Sequence, residues 1–149
     1  MPRSVFRIAA CICVLVPAAA LASLGDVAGS IEMDRVHLMA SARIVVAPRY
    51  TVHELQAPGG TVVREFVAPS GLVFAVAWRG PFMPDLRQTL GVYFEPYQGA
   101  VRANRLSHSH VSVSQPDLVV NSEGHLRAFF GQAYLRRAIP PGVTLDELR

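Results

Sequence analysis

Between residues 50 and 78 the chain sets three β-branched or aromatic runs between two short turns, and that pattern constrains the fold more than any other feature. Residues 50–56 alternate, residues 61–67 are rich in Val and Phe, and residues 72–78 are apolar almost throughout. Pro58-Gly59-Gly60 and Ala68-Pro69-Ser70-Gly71 supply the turn chemistry between them. Connections this short join antiparallel neighbours, because a parallel crossover needs a much longer link. A run without alternation suits a strand covered on both faces, so the third run is expected to be the most buried.

The flanking segments read as helices and further strands. Ser30 stands where it would cap a helix over residues 31–43, with Glu32 and Asp34 favourably placed in the first turn. Gly80-Pro81-Phe82-Met83-Pro84 is a rigid loop, and a second helix is expected over residues 84–95, ended by Pro96. Leu86, Leu90, Tyr93, Phe94 and Tyr97 give it an amphipathic stripe. Residues 98–107 read as a mobile loop, and residues 108–113 as a strand that residues 118–121 continue after a break at Gln115-Pro116-Asp117. Residues 121–124 read as a turn into a final strand over 125–135, and Thr144 as the cap of a short terminal helix over 145–148. The sum is an α+β fold: a single antiparallel sheet of about five strands with two helices packed on one face.

The N-terminus is a targeting signal by pattern. Arg3 and Arg7 precede an apolar stretch over residues 8–16, and Ala20 and Ala22 end it with a small-x-small site. A cleaved signal helix over residues 1–22 is expected, followed by a flexible leader over 23–29 and a single domain over 30–149. A lipoprotein reading at Cys11 is disfavoured, because the apolar segment before that cysteine is too short. Removing 22 of 149 residues leaves 127, without either cysteine, so disulfides, thiol catalysis and Cys-ligated metals are excluded from that product. It keeps 12 arginines against 11 acids, a formal charge of +1, which removes the case for nucleic acid as partner. No lysine occurs anywhere, so Schiff-base and P-loop chemistry are excluded as well. No transmembrane span is expected after signal removal, and the expected location is the periplasm or the exterior.

Several stretches resemble a family of secreted proteobacterial proteins of unknown function, the DUF2844 type. They include Val52-His53-Glu54-Leu55, Pro58 to Glu65, Phe74 to Pro81, Pro84 to Gln88, Asp117 to Val120 and Gly124 to Phe129. The resemblance implies export and one small domain, and it brings no activity, cofactor or catalytic residue with it.

Three groups of residues carry candidate chemistry. Trp78 and Arg79, leading through the Gly-Pro loop to Asp85 and Arg87, join a strand end to a helix start, where two guanidinium groups can hold a carboxylate or phosphate. His108 and His110 share a strand face at i, i+2, and with His125 they make a candidate Zn or Cu site. His53 and Glu54, beside Arg64 and Glu65, are either an acid–base group or a salt-linked solvated face, and the second is favoured. Glu54 and Arg64 are expected to pair across a ladder, with Glu65 on the other face. No serine sits in a nucleophile elbow.

The leading expectation is an exported binding module without a required cofactor, for a small anionic ligand or an envelope protein. A small periplasmic hydrolase or metal-dependent enzyme using the histidines is the alternative, and an envelope assembly protein the third. Protein recovered from the periplasm of its own host is expected to show an intact mass beginning at Ser23. A lipid-sized addition on Cys11 would overturn that processing.

Overall fold

The computed structural model describes residues 24–103 and 110–149. Their frame is one seven-stranded, wholly antiparallel sheet. Strands β1 (Ser41–Val46), β2 (Thr51–Gln56), β3 (Val62–Val67) and β4 (Val73–Gly80) form a meander. Strands β5 (His110–Ser114), β6 (Leu118–His125) and β7 (Ala128–Leu135) form a second. The spatial order β1-β2-β3-β4-β7-β6-β5 joins the two through β4 and β7. The helical connection between them holds α2 (Leu86–Leu90) and α3 (Phe94–Ala103), while α1 (Ile31–His37) precedes the sheet.

The third apolar run is indeed the middle of the sheet. Val73 to Trp78 are all buried, and β4 is the fourth strand of seven. Its side chains divide between two cores, and the register shift against Phe66 and Val67 puts the neighbours Phe74 and Ala75 in the same one. Val76 and Trp78 join Leu55, Val63, Val120 and Ala133 beneath the helices. Phe74, Ala75 and Ala77 join Phe66, Val119 and Tyr134 on the opposite face, where Ile139, Val143 and Leu148 of the C-terminal segment cover them. Each fully buried large apolar side chain here contributes roughly 1.5–3 kcal/mol.

The sheet has seven strands where about five were expected, for two local reasons. The first helix stops at His37, and Met39 adopts φ 49°, which turns the chain sharply. The β-branched run Ile44-Val45-Val46 then forms edge strand β1 instead of extending the helix. Ser30 places its hydroxyl on Val27 O at 2.6 Å and caps nothing. Residues 118–121 do not prolong β5. Gln115-Pro116-Asp117 turns the chain back, closed by Gln115 N to Leu118 O at 2.8 Å, and β6 runs on through the expected turn at 121–124. The reversal comes later, where Arg127 takes φ 64°.

The second helix also divides. Asp85 caps α2 by accepting from Arg87 N at 2.9 Å, and Gly91 at φ 51° breaks it after five residues. Pro96 then sits in the first turn of α3, where a missing N–H costs no helical hydrogen bond, so it does not terminate the helix. Residues 98–103 are therefore helical, and 104–107 of the expected loop lie outside the described residues. Residues 24–29, expected as a loose leader, are pinned to the sheet. Leu24 N donates to Thr89 O at 3.1 Å and Gly25 N to Val73 O at 2.8 Å, with Leu24 fully buried. Residues 1–22, the expected signal helix, fall outside the described residues.

The β4–β7 seam depends on Gly131. A Cβ there would meet the Trp78 ring at 2.4 Å and the backbone oxygen of Asn121 at 2.6 Å. Backbone cannot swing aside as a side-chain tip can. Gly131→Ala is expected to destabilise the fold by about 1–3 kcal/mol, read as a lower urea midpoint with an unchanged m-value. An unchanged midpoint would show that the seam is looser than these distances allow.

Candidate functional site

In an antiparallel sheet, residues paired across strands share a face, so the registers can be read as rows. On the face opposite the helices, one row runs Glu54, Arg64, Ala77, Gln132, Asn121, Ser112. The next runs Gln56, Val62, Arg79, Phe130, Glu123, His110. The C-terminal segment covers the apolar part of this face and leaves these two rows open. The result is a groove of about 810 Å³, within the usual range for ligand sites. Gly60, Gly131 and Arg149 also line it.

Its charges are unevenly satisfied. Glu54 sits between Arg64 at 2.8 Å and Arg43 at 3.1 Å, and the hydrogen bond from Arg64 holds its carboxyl below the usual range. Arg64 also donates Nη1 to Arg149 O at 2.8 Å, while Arg149 pairs with Asp146 at 3.1 Å. The Arg79 guanidinium makes no hydrogen bond or ion pair among the described residues, and the residue is exposed and lines the groove. On the far side, Glu123 faces His110 at 3.4 Å. Between them, Gln132 Oε1 is buried with no hydrogen-bond partner among the described residues. Ser112 donates to Asn121 Oδ1 at 2.9 Å.

A second polar cluster lies under the helices. Glu65, on the helix-facing side of β3, is 1% exposed and faces Asp34 of α1, itself 4% exposed. The two carboxyls share a hydrogen bond, so one must hold a proton. Burial first, and then the hydrogen bond and charge of Asp34, push the Glu65 carboxyl up to about 9. Burial raises Asp34 too, while Gln88 Nε2 donates to it. Glu65 was expected on the face opposite the Glu54–Arg64 pair, and it lies there; the expectation did not include its burial under α1 and α2. His53 pairs with Glu65 in register, and burial lowers its pKa. A carboxyl–carboxylate pair resembles an acid–base dyad. The cavity beside Asp34 and Gln88 is about 10 Å³, room for one water at most, so no substrate reaches it. The pair ties α1 and α2 to the sheet.

The sequence-nominated residues are distributed as follows. Arg79 lines the groove, whereas Trp78 points to the helix side and is 2% exposed. Its indole N–H lacks a partner among the described residues. Asp85 caps α2, and Arg87 pairs with Glu95 at 3.2 Å and lies 4.5 Å over the Phe94 ring, so neither lines the groove. His110 and His125 share the groove face of β5 and β6, and His108 lies outside the described residues. Among the described residues no three His, Cys, Asp or Glu side chains gather as a metal group. The expected Glu54–Arg64 pair forms. Asn121, Phe130, Gln132 and Arg149 were not anticipated in the groove, nor Asp34 and Gln88 beside Glu65; the cross-strand register brings the first three together, and the C-terminal segment brings Arg149 to Arg64.

The sequence matches the DUF2844 family, described as proteins of unknown function, over residues 20–148. The chain belongs to that family. No curated protein and no solved structure is significantly similar to it. No helix among the described residues is long and apolar enough to cross a membrane.

The buried pair gives a pH signature. From the ordinary glutamate range up to about 9, native Glu65 keeps a proton that the unfolded chain has released. Stability should therefore fall as pH rises across that window. Glu65→Gln removes the ionisation and keeps a donor for Asp34. Unfolding free energies at pH 5 and pH 9 should differ by on the order of 2 kcal/mol less in the variant than in the parent protein. Parallel pH profiles would show that Glu65 is not the group responsible.

Proposed function

We propose that this family member is an exported binding module whose groove receives a small anionic ligand. The carrying observation is Arg79, a guanidinium without a counter-ion among the described residues, set in an open groove of about 810 Å³. The backbone under this cation is fixed in the central strand, so its paired donors meet an incoming carboxylate or phosphate without the ordering of a loop. Arg64 and Arg149 also line the groove, each already paired with an acid, Glu54 and Asp146. Export is supported by the signal pattern in residues 1–22, including Arg3, Arg7 and the Ala20–Ala22 site. Trp78, Asp85 and Arg87 stand behind or beside this reading and not in it.

The experiment is an NMR titration of ¹⁵N-labelled protein with a panel of carboxylates, phosphates and acidic oligosaccharides. Binding members should shift the amides of Val62, Ala77, Gly131 and Gln132, and Arg79→Ala should weaken them at least tenfold while the rest of the spectrum is retained. A panel that shifts no groove amide, or shifts that survive Arg79→Ala, would sink this reading.

A further inference from the structure

We infer that the groove is built for a carboxylated saccharide, an inference that rests on the groove being a ligand site. The row Arg79, Phe130, Glu123 spans three adjacent strands, so its outer members stand roughly 10 Å apart along the sheet, with the aromatic ring midway. Phe130 is 48% exposed on the central pair of strands, although large aromatics are normally buried. An exposed ring on a rigid strand is a platform for the C–H face of a sugar. Arg79 on one side offers two parallel N–H donors to a carboxylate. Glu123 on the other side offers only acceptors, which suit hydroxyl groups and repel a second anionic group.

The adjacent row supports the same class. Gln132 lies beside Phe130 on β7 and carries the buried, unpartnered Oε1. A carboxamide can present its oxygen or its nitrogen at one position, and a hydroxyl satisfies either, since it both donates and accepts. Asn121, next to Gln132 in register, adds a second amide. A phosphate-rich polyanion would meet Glu123 and leave Phe130 unused. A neutral sugar would leave Arg79 without its counter-ion. One acidic group on a hydroxyl-bearing ring uses all four side chains at once.

Isothermal titration calorimetry with methyl α-galacturonide, which carries one carboxylate, its methyl ester and citrate tests the assignment. The galacturonide should bind, and esterification, which replaces the carboxylate by a neutral ester, should weaken it at least tenfold. Arg79→Ala and Phe130→Ala should each do the same, with ¹⁵N spectra confirming that both variants remain folded. If citrate binds as tightly as the galacturonide and ignores Phe130→Ala, the saccharide assignment is overturned while the anion groove stands. If the galacturonide fails but other panel anions shift the groove amides, the assignment is again overturned alone. If no anion engages the groove, both readings fall together.

Discussion

A strand buried on both faces must find cover on both, and β4 imposes that demand on everything around it. Val76 and Trp78 on one side require the helices, and Phe74, Ala75 and Ala77 on the other require a second layer. The segment after β7 provides part of that layer. Ile139, Val143 and Leu148 reach the apolar end of the face, and the capping box between Thr144 and Glu147 fixes how the segment turns. The polar rows beyond are not covered by these apolar residues and line the groove. The groove is thus what the two-layer packing leaves over, and its residues are polar where the cover stops.

The helices face a related problem. Short helices of five to ten residues are marginal alone, and their position here depends on what they bury. Leu24, Ile31, Leu90 and Tyr97 supply apolar contacts, and the Asp34–Glu65–Gln88 cluster adds direction. One strand and two helices converge on a single shared proton. Burying such a group is expensive unless it is partnered, and the partners come from three separate elements. The cluster therefore specifies where α1 and α2 sit more than it adds stability.

Legibility in the sequence followed the range of the interactions involved. The three-strand meander, the burial of β4 and the Glu54–Arg64 pair were readable, because turn chemistry and period-two alternation are local. Strand β1 was not, because its Ser-Ala-Arg lead continues a helical stripe and the decisive event is one positive φ at Met39. The split of the second helix turned on Gly91 in the same way. Arg79 was legible as an unusual cation at a strand end, but its neighbours were not. Phe130, Gln132, Asn121 and Glu123 lie some 40 to 50 positions later, and nothing local announces that β7 pairs with β4. Glu65 was placed on the correct face, yet the depth of its burial depends on helices whose docking no spacing rule conveys.

The sheet order has a consequence for how the molecule is assembled. Each meander closes through contacts between near neighbours in sequence, which form early, whereas the β4–β7 pairing joins segments separated by the whole helical connection. The groove straddles that join, with Arg64 and Arg79 from the first meander and Gln132 and Phe130 from the second. Neither half carries a recognisable part of it alone. A molecule lodged there would act as a clasp across the slowest-forming seam, so the same contacts that recognise it would also hold the finished chain shut.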